Sequence, residues 1–118
     1  MPRQFSFSKE YRLRKKKDFE YVFEKGKRFS GKGLVCYWFS DEVSGNKLGI
    51  VVSKKVGQSV ERNRIKRYIR EYYRLNRPRF LKSGTLIVVA RPEVSNWDHQ
   101  QIDAELEQLL KTAEILDG

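Results

Sequence analysis

Cysteine occurs once, at Cys36, which excludes an internal disulfide and a thiolate metal cage. Histidine also occurs once, at His99, and no HxE, HxxxH, DxD or Cys–His pattern supplies a metal site or a nucleophile–base pair. No apolar run approaches the roughly 20 residues that cross a bilayer. The opening "MPRQFSFSKEYRLRKKK" has no apolar core of a secretory signal, so export is not expected. These absences fit a reducing cytoplasm and a chain with no membrane span. Asp18, Glu20 and Glu24 read as ordinary surface carboxylates of a helix. A protein nuclease would need carboxylates converging on metal ions, so any cleavage around this chain is expected to be another molecule's chemistry. The lead-in "VSKKVGQS" lacks the glycine spacing of a Walker loop, which argues against nucleotide hydrolysis.

Acidic residues are scarce where basic ones are dense. Residues 1–91 hold 24 Lys/Arg against 8 Asp/Glu, whereas residues 92–118 hold one Lys against seven Asp/Glu. A chain that needed only solubility would intersperse its signs. Self-repulsion of this kind is relieved by a polyanionic partner, with nucleic acid the first candidate and an anionic membrane surface the second. The 118 residues are 39% hydrophobic and 13% aromatic, enough for one domain with a modest core. No repeat or flexible linker divides them. The expected unit is a single domain over 1–118, with residues 1–10 a flexible extension.

The pattern reads helix, strand, strand, helix, strand, helix, with a further short strand near 28–33. "DFEYVFEKG" is a helix with Phe19, Val22 and Phe23 on one face, and Gly26 suits a left-handed stop. "GLVCYWFS" (33–40) and "KLGIVVS" (47–53) are β-branched and aromatic, and the six-residue loop between them suggests an antiparallel hairpin. Ser59 is the expected N-cap of a helix over about 60–75. "TLIVVAR" (85–91) is a strand covered on both sides, stopped by Pro92. "SNWD" (95–98) has capping-box spacing, and Ile102, Leu106, Leu109, Leu110 and Ala113 make the stripe of a last helix. The fold class is α+β: an α–β sandwich with helices on a small, mostly antiparallel sheet.

The helix over 60–75 sorts its residues sharply. At about 100° per residue, Ile65, Tyr68, Ile69 and Tyr72 share the core face. Asn63, Arg67, Arg70 and Arg74 fall near the opposite pole, Arg64 and Lys66 on the flanks, and Arg62 at the border. Any surface helix has a polar face, but this one is almost all one sign and lacks i,i+4 Glu–Lys pairing. Its positive charge gathers at the N-terminal turn, where the helix dipole disfavours it, and it is mostly arginine, whose fork matches phosphate. Lys54 and Lys55 flank the place where backbone N–H groups open toward a phosphate. Phe19, Phe23 and Tyr37 read equally as core residues or as a stacking platform for unpaired bases.

The run "SKKVGQSVERNRIKRYIREYYR" resembles the protein subunit of bacterial ribonuclease P, whose hallmark is the RNR helix, here Arg62-Asn63-Arg64. "RLRKKKDFEYVFEKGKR" is similar to that family's N-terminal signature and "GTLIVVAR" to its last strand. The resemblance implies a left-handed strand–helix–strand crossover, against the usual rule. It implies a ribonucleoprotein endonuclease in which an RNA subunit is catalytic and holds the Mg²⁺. No cofactor on the protein and no small-molecule substrate are then expected. The protein would grip the 5′ leader of precursor tRNA through Phe19, Phe23 and Tyr37, with Lys54 and Lys55 nearby. Arg62, Asn63, Arg64, Lys66, Arg67 and Arg70 would face the RNA subunit. Two other classes stay in view: a DNA-binding module laying the basic helix in a major groove, and a protein nuclease with an unrecognised site.

Overall fold

The computed structural model describes residues 11–42 and 45–117. In chain order these form α1 (Lys16–Lys25), β1 (Lys27–Ser30), β2 (Leu34–Ser40), β3 (Lys47–Val52), α2 (Ser59–Asn76), β4 (Gly84–Ala90) and α3 (His99–Thr112). Short 3₁₀ turns at Arg77–Arg79 and Pro92–Asn96 flank β4. The N-terminal extension anticipated at residues 1–10 lies outside the described residues.

β4 organises the sheet. Thr85 through Val88 are buried on both faces, as a nearly unbroken apolar run requires. Such a strand belongs in the middle, and the order is β1-β2-β4-β3. β2 pairs with β4 antiparallel (Tyr37 opposite Ile87), β3 pairs with β4 parallel (Gly49 opposite Ile87), and β1 pairs with β2 antiparallel. The expected hairpin between β2 and β3 is therefore absent, because β4 lies between them. Two strand spacings are roughly 10 Å, and six residues of loop reach that far with ease. Loop length alone could not tell the paired from the interrupted arrangement. The parallel β3/β4 pair needs a crossover, which α2 supplies.

Each face of the sheet has its own core. Leu34, Cys36, Trp38, Leu48, Val52, Leu86, Val88 and Ala90 pack beneath α2 and α3 with Ile65, Ile69, Tyr72, Tyr73, Ile102, Leu106 and Leu110. The other face is covered by α1 alone, in a smaller cluster of Leu13, Val22 and Ile87 edged by Phe19, Tyr37, Phe39, Val51 and Val89. One short helix cannot shield a four-stranded sheet, so these edging side chains remain half-buried. Cys36 is fully enclosed, and burial pushes its thiol well above the ordinary range.

The helix ends correct three expectations. Gly26 is extended (φ −78°), not left-handed. It is required by space, since a Cβ there would stand 2.6 Å from the Val22 carbonyl oxygen and 3.1 Å from that of Trp38. Gln58, not Ser59, caps α2, and its backbone N–H donates to the Glu61 side chain at 2.9 Å. Ser95 and Asn96 of "SNWD" lie in the 3₁₀ turn begun by Pro92, and it is its last residue, Asp98, that caps α3, pairing with Gln101 at 2.9 Å in both directions. In the last two cases another polar side chain reached the free N–H groups better than the serine.

Two carboxylates of α3 hold the layers together. Glu105 accepts from the backbone N–H groups of Lys32 (3.1 Å), Gly33 (2.8 Å) and Leu34 (2.8 Å), clamping the β1–β2 turn onto α3. Glu107 accepts from the Tyr72 hydroxyl, from both terminal nitrogens of Arg79 (3.1 and 2.7 Å) and from Lys111 (3.1 Å). The hydrogen bonds from Arg79 and Tyr72 hold the Glu107 carboxyl at about 2, below its ordinary 4.5.

Glu105→Ala should lower the unfolding free energy by about 2–3 kcal/mol in denaturant titration, Glu105→Gln by less, because three backbone donors lose a charged acceptor. Glu107 has a depressed folded-state pKa, so its contribution is present above pH 4.5 and fades as pH falls toward 2. Urea unfolding at pH 7 and pH 3 should show a smaller acid loss in Glu107→Gln than in the parent.

Candidate nucleic-acid interface

The sheet register sets where the charges stand. Val52 lies beside Ala90, which lies opposite Leu34, so β3 and β4 end where β2 begins. From that end the chain turns through Ser53–Gly57 into α2. The turn is closed by Val56 N–H to the Ser53 carbonyl (3.0 Å) and Gly57 N–H to the Lys54 carbonyl (3.2 Å). Val56 is buried beneath it, and Lys54 and Lys55 stand outward, exposed.

Along α2, the burial of Ile65, Ile69, Tyr72 and Tyr73 against the sheet fixes the helix rotation. Asn63 and Arg67 are fully outward, while Arg62, Arg64, Lys66 and Arg70 are half-buried. Arg62 is steadied by its Nε donating to the Gly57 carbonyl (3.2 Å) and a terminal nitrogen to Ser59 Oγ (3.2 Å). Arg64 reaches sideways to the Ser95 carbonyl at 2.6 Å. Arg74, placed on the outer pole by its position, is paired with Glu71 at 2.6 Å. Among the described residues no salt bridge ties Arg62, Arg64, Lys66, Arg67 or Arg70 to a carboxylate. The acidic C-terminal region instead engages Arg79, through Glu107 and, at 3.4 Å, Asp117.

A third cation joins Lys66 and Arg70. Arg12, Lys66 and Arg70 surround a cleft of about 180 Å³ whose apolar lining is Leu13, Phe19, Leu48 and Ile50. Desolvation lowers the Arg70 pKa from its ordinary value, and the neighbouring charge of Arg12 lowers it further. Arg12 is held there because Leu13 is buried beside it and donates its N–H to the Leu48 carbonyl at 2.9 Å. The Arg77 guanidinium, 3.6 Å over the Tyr11 ring, pins the preceding residue. Sequence reading missed Arg12. The lone leucine inside "RLRKKK" was the signal to use: it must turn inward, which presents the flanking arginines.

α1 crosses the opposite face of the sheet. Phe19 sits over Gly49, where a Cβ would come within 2.7 Å of the ring, so only glycine admits this approach. Phe19 and Phe23 have ring centroids 6.3 Å apart, and Phe23 meets Tyr37 edge-on at 4.8 Å. The three rings therefore make one row. Phe19 and Tyr37 are half-buried and belong partly to the core; Phe23, at 37% exposure, presents itself to solvent. Lys54 and Lys55 lie in the turn that follows β3, the strand that carries Gly49 beneath Phe19.

His99 lies flat on Tyr68 (4.7 Å between centroids, 7° between planes) and 3.4 Å from Asp103. Among the described residues no group of three His, Cys, Asp or Glu is arranged to hold a metal ion. Nor is any helix among them long and apolar enough to cross a membrane.

Comparison with known proteins agrees with this fold. The profile of the family described as Ribonuclease P matches residues 7–114. A ribonuclease P protein component from Clostridium botulinum is 44% identical over 108 residues, covering 91% of this chain and 97% of that one. One from Listeria welshimeri is 37% identical, covering 92% of each. The solved ribonuclease P protein of Staphylococcus aureus superposes with a TM-score of 0.84 at 34% identity, covering 91% of this chain and 98% of that one. That of Thermotoga maritima, solved with 1-(4-fluorophenyl)-2-thiourea, gives 0.77 at 31% identity, covering 84% and 96%. The uncompensated arginine helix and the matches along nearly the whole chain lead to one assignment: this chain belongs to the ribonuclease P protein family.

Proposed function

We propose that the chain acts in the cytoplasm as one RNA-binding domain that holds the catalytic RNA subunit through α2 and the 5′ leader of precursor tRNA across the α1 face. One observation carries this reading. The row Phe19–Phe23–Tyr37 begins at the same cleft that gathers Arg12, Lys66 and Arg70. Stacking rings beside clustered cations suit a single strand, with bases on the rings and phosphates on the arginines. Arg62, Asn63, Arg64, Lys66, Arg67 and Arg70 would meet the A-form RNA body through phosphates and 2′-hydroxyls. Such contacts address the backbone, so sequence preference would be loose.

Under this reading the RNA subunit performs the hydrolysis and holds the Mg²⁺, while the protein lowers repulsion between two polyanions and positions the substrate. The protein itself takes no cofactor. Against a duplex-DNA module, α2 is anchored between two parallel strands, and among the described residues no second helix sits a short turn away to form a helix-turn-helix.

Reconstitution with a ribonuclease P RNA at low Mg²⁺ tests the proposal: leader removal should rise sharply with protein. No gain in cleavage or substrate affinity rejects it, and cleavage by rigorously RNA-free protein would transfer the chemistry to the chain. Arg67→Ala should reduce the salt dependence of RNA affinity by about 0.7–0.9 of a log–log slope unit for each phosphate no longer gripped. Phe23→Ala should weaken leader binding by about 1–3 kcal/mol. Its folding cost should be nearer 1 kcal/mol, since Phe23 is exposed and contributes mainly ring pairs. Denaturant titration beside binding separates the two effects, which the more enclosed Phe19 would confound.

A further inference from the structure

The aromatic row does not stop at Tyr37. β1 is the outer strand beyond β2, and its register sets Arg28 directly opposite Tyr37. Direction follows from the neighbour: Phe29, opposite Cys36, packs into the core beneath α2 and α3. Alternation then turns Arg28 to the α1 face, where Phe23 and Tyr37 meet. Directly opposed residues of an antiparallel pair have Cβ atoms about 4.5–5.5 Å apart, so the guanidinium is within reach of anything lying on Tyr37.

Arg28 is exposed and, among the described residues, its side chain makes no hydrogen bond or salt bridge. Its stretch of chain has one sign. Between Glu24 and Asp41 the sequence carries Lys25, Lys27, Arg28 and Lys32 and no acid. An arginine held beside stacking rings, with no carboxylate to quench it, has the chemistry of a nucleotide contact. It can fork onto a phosphate or lie flat on a base.

Resting on the leader-binding reading above, we propose that Arg28 is the far terminus of the leader track, receiving the nucleotide beyond the one at Tyr37. The track starts at the β3 edge, where Phe19 borders Lys66 and Arg70, and ends at β1. Three strand spacings separate these edges, roughly 14 Å. That distance holds about four stacked nucleotides at 3.4 Å each. With α2 toward the RNA subunit, Arg28 meets the part of the leader farthest from the cleaved bond. It is a positioning residue, and it sets how much leader the protein senses.

The test measures affinity of the reconstituted holoenzyme for precursor tRNAs with leaders of about one to ten nucleotides, bracketing the track length, with wild-type protein, Arg28→Ala and Arg28→Lys. Wild-type affinity should climb with leader length. Arg28→Ala should match it for the shortest leaders and fall about tenfold behind for long ones, the size of one charge-assisted contact. Its salt slope on long leaders should drop by about 0.7, and Arg28→Lys should restore that slope. A deficit equal at all lengths, or none at any length, overturns the role of Arg28 alone. Wild-type affinity indifferent to leader length overturns the leader reading and this inference with it. Arg28 is exposed, and matched thermal melts verify that the variants are folded.

Discussion

β4 cannot face water on either side, and that constraint propagates through the molecule. A strand apolar on both faces must be central and must be covered twice, once by α2 with α3 and once by α1. The two covers are unequal. Two helices seal one face and rotate α2 until its apolar residues are enclosed, which leaves its arginines outward. A single ten-residue helix covers the other only in part, and at its border its own Phe23 and the strand residue Tyr37 form a shallow aromatic surface. Both surfaces are thus by-products of satisfying one buried strand.

Charge is arranged by the same logic. The principal acids of α3 are occupied: Glu105 by three backbone N–H groups, Glu107 by Tyr72, Arg79 and Lys111. A carboxylate so engaged serves cohesion and is not at hand to neutralise α2. Arg62, Lys66 and Arg67 stay uncompensated beyond its reach, and Arg70 is partly desolvated beside Arg12 as well. Bringing like charges together raises the energy of the isolated protein, and an approaching polyanion recovers that energy as affinity.

Much of this was legible in the residues. The face of α2 could be placed by rotation alone, and Ile65, Ile69 and Tyr72 are where the periodicity puts them. β4 announced through its unbroken apolar run that both of its faces are covered. Strand pairing did not follow, because β2 and β3 look like hairpin partners until β4 is known to separate them. Nor did capping, since Gln58 and Asp98 compete with nearby serines on reach, a matter of local geometry. Leu13 within its basic run hinted that Arg12 turns outward, but the cleft it joins depends on a backbone bridge to Leu48, a pairing distant in sequence. Whether Phe19, Phe23 and Tyr37 pack or present was undecided by spacing, and the fold divides the answer among them.

β1 carries a further consequence. It is a four-residue border strand whose outer backbone has no neighbour in the sheet among the described residues, a shape that invites another chain to add itself. Lys27 and Arg28 are the kind of side chains that deter such additions. Charges at this border therefore guard solubility, and a lineage that traded them away would meet self-association before it met misfolding.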